Sequence, residues 1–391
     1  MHIAWLGKKT PFCGNVTYSR EVTNALLDRG HRVSFLHFAQ EDNETPHAVP
    51  GGDCAEVALP FLVKSTIYTI PTPRSSKVLA DALSKLKPDL VHASLTLSPL
   101  DFRLPEICES LGIPLVATFH PPFDSKLRNL SSSTQFLTYQ LYAPSLAHHD
   151  KVIVFSRLQR NLLLKLGVPR QRLAIIPNGV EVDRYCPGES MIKQQYKAQR
   201  LFIYLGRIAP EKNVEALLKA WKLSEMGSHC KLLIVGDGIL KSTLQPHFGE
   251  EMGVHWLGFI ADETQRIQLL RAADAFILPS LVEGLSLSLL EAMACGTACL
   301  ATDAGADGEV LEQGAGIVLQ TQGVTAQLKT LLPLLRDHPE ITDLLGRKAR
   351  ERVLERYTFA ENMVQLERLY ETVLARQPHS ANLSTYSYLL E

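Results

Sequence analysis

The sequence predicts an α/β protein made of two doubly wound domains in tandem. Three observations carry that class. Short runs rich in Val, Ile and Leu alternate with helical stretches along most of the chain. The runs are apolar on both faces, which suits strands of a parallel sheet covered by helices on each side. The alternation pauses near residue 180 and restarts near residue 200, and 391 residues are more than one hydrophobic core usually supports.

Taken in order, Met1-His2-Ile3-Ala4-Trp5-Leu6 is a short apolar run with no basic flank before it and no small-residue cleavage site after it. It reads as a first strand and not as a signal peptide. Further strands are expected at 32–38, 89–93, 114–119, 151–155 and 173–176, with helices at 16–29, 76–86 and 157–166 between them. Ile176-Pro177-Asn178-Gly179 then closes the first domain, because proline biases its predecessor away from helix and Asn-Gly is a strong turn dipeptide. The expected domains are therefore 1–178 and 179–357. After a polar connection at 185–200, strands are expected at 201–205, 231–235, 254–257, 275–278 and 298–301. Residues 358–374 place Phe359, Met363, Leu366, Leu369, Tyr370 and Val373 near one face of an amphipathic helix, and 380–391 read as a loosely held tail.

Composition excludes several classes. Apolar content of 46% and charged content of 21% describe an ordinary globular protein. No run approaches the roughly eighteen apolar residues of a transmembrane helix. Seven cysteines without CxxC spacing point to reduced thiols in a cytosolic protein, not to a zinc site or a disulfide framework. The net charge of −1 hides an asymmetry, since residues 1–178 hold 19 Lys+Arg against 14 Asp+Glu. Residues 123–172 alone carry eight cations and two acids, and 131–147 contribute Phe136, Leu137, Tyr139, Leu141, Tyr142 and Leu146. Basic residues beside such side chains suit a protein lying on an anionic membrane surface. A solvated face without a partner accounts for the charge equally well. No nucleic-acid partner is expected.

Two stretches carry most of the chemistry. In Gly206-Arg207-Ile208-Ala209-Pro210-Glu211-Lys212-Asn213, Gly206 closes a strand and Pro210 fits the first turn of a helix expected near Glu211. Ligands of open α/β domains sit where strand ends meet helix starts, and helix N-termini favour anions through unpaired N–H groups. A guanidinium and an ammonium added there, Arg207 and Lys212, make a diphosphate clamp; otherwise they are surface cations, one paired with Glu211. In Glu283-Gly284-Leu285-Ser286-Leu287-Ser288-Leu289-Leu290-Glu291, Gly284 permits close backbone approach to a ligand. The amides of Leu285 and Ser286 are expected to point at phosphate or sugar oxygens. Glu291 lies further along, where a carboxylate accepts hydrogen bonds from a vicinal diol such as a ribose. Glutamates on exposed helices are commonplace. Leu287, Leu289, Leu290 and Met293 mark this helix as mostly buried, however, and buried carboxylates want partners.

In the first domain, Gly14 and Asn15 follow the first strand where a tight turn presents N–H groups to an anion, although the segment lacks GxGxxG. The strand ending at Phe119 delivers His120, held by Pro121 and Pro122, to the same crevice. A satisfied structural histidine is the alternative.

With these residues in view, the chain resembles the retaining nucleotide-sugar glycosyltransferases of the GT-B fold, family four (glycosyl transferases group one). The likeness is carried by Gly206-Arg207 with Lys212, by Glu283-Gly284 through Glu291-Ala292-Met293-Ala294-Cys295-Gly296, by the Gly14 loop and by Thr118-Phe119-His120. It extends over nearly the whole chain. The resemblance implies two Rossmann-like domains facing each other across a cleft, the first for the acceptor and the second for the donor. A C-terminal helix, within about 358–391, would cross back to the first domain. By the same resemblance Arg207 and Lys212 bind the donor diphosphate, Glu283 the sugar hydroxyls and Glu291 the ribose. Gly14 would help seat the diphosphate, and His120 would approach the sugar near the reacting carbon. The implied donor is a UDP-sugar whose hexose moves with retention. No metal or other cofactor is implied, in keeping with the lack of an Asp-x-Asp motif near the donor stretch.

Three departures from the family pattern stand out. Cys13-Gly14 replaces a glycine pair, the usually small fourth residue of the Glu283 stretch is Ser286, and Gly305-Ala306 replaces the later glycine pair before Glu309. Residues 8–18 also resemble the cyanobacterial-type digalactosyldiacylglycerol synthases. That implies a galactolipid acceptor, a galactosyl donor and a cytoplasmic protein lying peripherally on a membrane. A transferase with a soluble or polysaccharide acceptor is the alternative among enzymes, and an inactive nucleotide-sugar-binding regulator the alternative outside catalysis. A dinucleotide dehydrogenase is disfavoured by the missing GxGxxG.

Overall fold

A computed structural model describes residues 1–10, 14–39, 54–65, 68–95, 97–122 and 130–376, with side chains from Gln135 onward in the last stretch. Before residue 180 the described strands are β1 (His2–Leu6), β2 (Arg32–Phe38), β3 (Cys54–Leu59), β4 (Phe61–Lys64), β5 (Thr69–Pro71), β6 (Leu90–Ser94), β7 (Leu115–Thr118), β8 (Lys151–Val154) and β9 (Leu173–Ile175). A parallel sheet orders them β3-β2-β1-β6-β7-β8-β9, while β4 and β5 pair as a short antiparallel ribbon. Ile3 shows why β1 is apolar throughout: it pairs with Val33 on one side and Leu90 on the other, and the whole strand is buried. Alternate residues then feed opposite layers. Ala4 and Leu6 join Leu36, Leu79 and Leu83. Ile3 and Trp5 instead meet Met363, Leu366, Tyr370 and Val373 of helix Phe359–Leu374, which packs on this domain from the far end of the chain.

The second sheet contains β10 (Arg200–Leu205), β11 (Cys230–Val235), β12 (Val254–Gly258), β13 (Ala275–Leu278), β14 (Ala298–Thr302) and β15 (Ile317–Leu319). It is also parallel and runs β12-β11-β10-β13-β14-β15. Strand order reverses at β1/β6 in one sheet and at β10/β13 in the other. Open α/β sheets leave a crevice for ligands at such points, beyond the carboxyl ends of the strands.

Two adjacent segments link the domains. Val180 N donates to Tyr357 O at 2.9 Å, and Phe359 N donates to Val180 O at 3.0 Å. A Cβ on Gly179 would stand 2.6 Å from Phe359 Cα, so glycine alone lets these segments touch. A third contact is made by helix Arg157–Lys165 of the first domain. Ser156 Oγ accepts from Gln159 N, and Glu309 of the second domain accepts from Arg157 N at 3.2 Å and Leu158 N at 3.3 Å. A carboxylate thus caps a helix across the domain boundary, where the helix dipole favours it. Among the described residues, no helix is long and apolar enough to cross a membrane.

Candidate active site

The second domain's site begins at the neighbouring strand ends of β10 and β13. Beyond β10, Gly206 N donates to Val235 O at 3.0 Å and Ile208 N to Asp237 O at 2.9 Å. A Cβ on Gly206 would meet Tyr204 Oη at 2.8 Å, and that hydroxyl donates to Arg207 O at 2.6 Å. The helix expected near Glu211 starts later. Pro210–Lys212 form a single 3-10 turn, Asn213 takes a left-handed conformation (φ 52°), and the helix begins at Val214. The turn is tied to the loop after β13, because Leu281 N donates to Glu211 O at 2.8 Å and Asn213 Nδ2 to Pro279 O at 3.2 Å.

These ties bring Lys212 Nζ to Glu283 Oε1 at 2.5 Å, with side chains only 16% and 9% exposed. Arg207 pairs with Glu211 at 2.8 Å, but its side chain is 60% exposed. The first pair is shielded from water; the second is a surface contact worth at most about 1 kcal/mol. Gly284 borders the first domain, since a Cβ there would stand 3.5 Å from His120 O. Leu285 is buried, and its carbonyl accepts from Asn178 Nδ2 at 3.1 Å. Ser286 caps helix Leu287–Ala294 by accepting from Leu289 N at 3.3 Å. Its own amide, expected to face a phosphate, donates instead to Asp307 Oδ1 at 3.0 Å.

Asp307 is the residue that sequence reasoning missed. It is fully buried, and burial first, then the nearby Glu283, push its carboxyl well above the usual carboxylate range. Its one trace in the sequence is the altered glycine pair just before it.

Glu291 lies on helix Leu287–Ala294, away from the Lys212–Glu283 pair. No contact joins it to Lys212 or Glu283 among the described residues. It is half-buried beside Tyr185 and Arg266, with Glu263 and the first domain's Glu21 near it. Burial raises its carboxyl to about 7; Glu21 and Glu263 add to the rise, while Arg266 and a hydrogen bond from Tyr185 oppose it.

Across the boundary, His120 follows β7. Its Nε2 lies 2.8 Å from Ser94 Oγ, which donates to Asn15 Oδ1 at 2.7 Å. The single hydroxyl proton of Ser94 being committed to Asn15, Nε2 is the donor and Nδ1 keeps its lone pair. Burial lowers His120 to about 3, so the ring is neutral at pH 7. Tyr18 packs edge-on against it at 4.9 Å. Asn15 thereby serves its own domain, with Nδ2 also donating to Leu95 O at 3.3 Å. Gly14 opens helix Gly14–Asp28, with open space around a would-be Cβ. Residues 11–13 of its loop lie outside the described residues, as does the expected tail at 380–391.

The basic segment is less available than its composition suggests. Lys126 and Arg128 lie outside the described residues. Arg157 is committed to Glu309 and Glu312, and Arg172 contacts Asp150 at 3.4 Å. Leu137 and Leu141, each 61% exposed, lie on helix Leu130–Leu146.

Comparison with known proteins gives consistent matches over both halves. Residues 13–184 match the family described as Glycosyltransferase Family 4, and residues 189–352 the one described as Glycosyl transferases group 1. The phosphatidyl-myo-inositol mannosyltransferase of Mycolicibacterium smegmatis is 29% identical over 366 residues, covering 90% of this chain and 88% of that protein. The Mycobacterium leprae protein of the same name is 30% identical over 272 residues, 66% of this chain and 67% of that one. Among solved structures, sucrose-phosphate synthase from Thermosynechococcus elongatus superposes with a TM-score of 0.78 at 21% identity, over 96% of this chain and 100% of that one. Anabaena Alr3699/HepE in complex with UDP-glucose gives 0.74 at 18% identity, over 95% and 100%. With both halves matched in order and two parallel Rossmann-like sheets in place, the chain belongs to the GT-B glycosyltransferases of family 4, the group 1 glycosyl transferases.

Proposed function

We propose that the protein transfers a hexose from a UDP-sugar to an acceptor hydroxyl, with retention at the anomeric carbon and without a metal. The observation that carries this reading is the shielded Lys212–Glu283 pair at the second sheet's crevice, beside the Gly284 that borders His120. As the diphosphate leaves, negative charge grows where Lys212 and Arg207 supply cations. Glu283 accepts hydrogen bonds from sugar hydroxyls, and Glu291 accepts them from the ribose. Neutral His120 offers Nδ1 to a hydroxyl near the reacting carbon. The acceptor oxygen attacks on the face that the diphosphate leaves. Its bond to the anomeric carbon forms as the bond to phosphate oxygen breaks, and its proton passes to that oxygen. The UDP and UDP-glucose complexes of Alr3699/HepE support this donor class.

The acceptor in this reading is a membrane glycolipid, with galactose passing from UDP-galactose to a monogalactosyldiacylglycerol on the membrane surface. Support comes from the opening stretch, from a relative named for phosphatidyl-myo-inositol, and from exposed Leu137 and Leu141. A soluble acceptor is the second reading, favoured by the commitment of Arg157 and Arg172 to carboxylates. Radiolabelled UDP-galactose and UDP-glucose, offered with galactolipid vesicles and chelator, test both. Labelled digalactosyl lipid is the expected product, and label in water-soluble product alone selects the second reading. No transfer together with no UDP-dependent rise in melting temperature would overturn the donor assignment.

A further inference from the structure

We propose that Asp307 is a positioning residue of the donor site, a protonated carboxyl that takes hold of Glu283 when Lys212 turns to the diphosphate. This deepens the donor-site reading above and rests on it.

The backbone places Asp307 behind the Glu283 turn. Gly305 (φ 59°) comes so close that a Cβ would stand 2.2 Å from Glu283 O, and Ala306 N donates to Gly284 O at 2.7 Å. Asp307 follows in this seam with no exposed surface. Its Oδ1 accepts from Ser286 N at 3.0 Å, while Oδ2 is buried and without a hydrogen-bond partner among the described residues. Among the described residues, the charged groups that reach it are Glu283 and Lys212.

A buried carboxylate with one bare oxygen, next to a second carboxylate, is a costly arrangement; a neutral carboxylic acid in the same place costs less. The acid's Oδ2–H needs an acceptor, and Glu283 is one. In this structure Lys212 holds Glu283. A diphosphate draws the ammonium towards itself and leaves Glu283 as a buried charge without its counter-ion. Asp307 then donates to Glu283, so that one charge-assisted hydrogen bond replaces another. The proton remains on the Asp307 side of the pair throughout, and no group is consumed. Lys212 is thereby released for phosphate without stranding the group that reads the sugar.

A double-mutant cycle with Lys212→Met, Asp307→Ala and Asp307→Asn, followed by thermal denaturation without donor, tests this. Once Lys212 is gone, Asp307 is left to hold Glu283. The Lys212→Met/Asp307→Ala double variant is therefore expected to melt about 3 °C or more below the sum of the single shifts. Asp307→Asn keeps an N–H donor and the Oδ1 acceptor, and recovers most of that loss. Were Asp307 ionised, removing it beside an unpaired Glu283 would relieve repulsion, and the double variant would melt above the sum. That sign, simple additivity, or an Asn variant as poor as Ala overturns the proposal. In calorimetric titration with UDP, Asp307→Ala binds about tenfold more weakly and Asp307→Asn within about threefold of wild type. The melting cycle needs no nucleotide, so a protein that fails to bind UDP sinks the donor reading, whereas the wrong coupling sign sinks the role of Asp307 alone.

Discussion

Lys212 and Glu283 meet across 71 residues of chain because the loops that carry them are already tied together on either side of the contact. Leu281 N reaches Glu211 O, and Asn213 Nδ2 reaches Pro279 O. Both loops leave neighbouring strands, β10 and β13, at the point where the second sheet reverses its order. The loop that carries the cation is therefore fixed, so that only the Lys212 side chain has to turn from Glu283 to a diphosphate, and a charge delivered with so little rearrangement contributes most to a transition state.

Lys212→Ala is accordingly expected to lower kcat by a factor on the order of 10²–10³, the usual size of losing one preorganised charge-stabilising donor. Arg207→Ala should cost less, about tenfold, because its guanidinium is mostly in water and already paired with Glu211. Steady-state transfer from a labelled UDP-sugar measures both. A wild-type kcat for Lys212→Ala would remove it from the leaving group.

Glu291 gives a pH dependence with a defined sign. Its folded carboxyl titrates at about 7, mainly through burial, whereas an unfolded glutamate titrates near about 4.3. Between those values the folded state holds more protons than the unfolded one, so stability falls as pH rises through that window. Glu291→Gln removes the term and should gain on wild type by roughly 2 kcal/mol between pH 5 and pH 8. Urea denaturation at the two pH values reads the difference. Binding moves the other way. The ionised carboxylate accepts a ribose diol better, so the wild-type advantage over Glu291→Gln in UDP affinity should widen from pH 6 to pH 8. A constant ratio in calorimetry would detach Glu291 from the ribose.

The strands were legible where the fold buries them on both faces. Ile3-Ala4-Trp5-Leu6 and Leu232-Leu233-Ile234-Val235 are continuous apolar runs of strand length. β3 was not, because Cys54-Ala55-Glu56-Val57 carries an acid in a strand that, among the described residues, lies at the edge of its sheet. β15 was not either, since its apolar run stops at three residues between Gly316 and Gln320, whereas the equally short β9 continues as an apolar run to Ile176. At the site, Gly206, Arg207, Glu283 and Glu291 stand out by spacing within short segments. The Lys212–Glu283 contact and Asp307 do not, because they depend on how distant loops meet. Nothing beside Asp307 signals that its partner is an amide 21 residues earlier. In sequence, the turn at Lys212 looks like helix because Pro-Glu-Lys also suits a helix start. The left-handed Asn213, a tertiary outcome fixed by its bond to Pro279 O, is what delays the helix.

Arg157 and Glu309 separate a surface ion pair from a helix cap. Arg157 Nε lies 3.1 Å from Glu309 Oε1, but the arginine side chain is 51% exposed, so Arg157→Ala should cost less than about 1 kcal/mol. Glu309 does more, because it also accepts from the amides of Arg157 and Leu158, which have no partner inside their helix. Glu309→Ala leaves both amides to water and is expected to cost about 1–2 kcal/mol. These bonds cross between the domains, so the Glu309 variant should also populate more open arrangements and show a larger radius of gyration in X-ray scattering. Salt at 1 M should reproduce the Arg157 effect, through screening, but not the Glu309 effect. Equal losses for the two variants, or a wild-type scattering curve for Glu309→Ala, would mean that the cap adds nothing to domain closure beyond its ion pair.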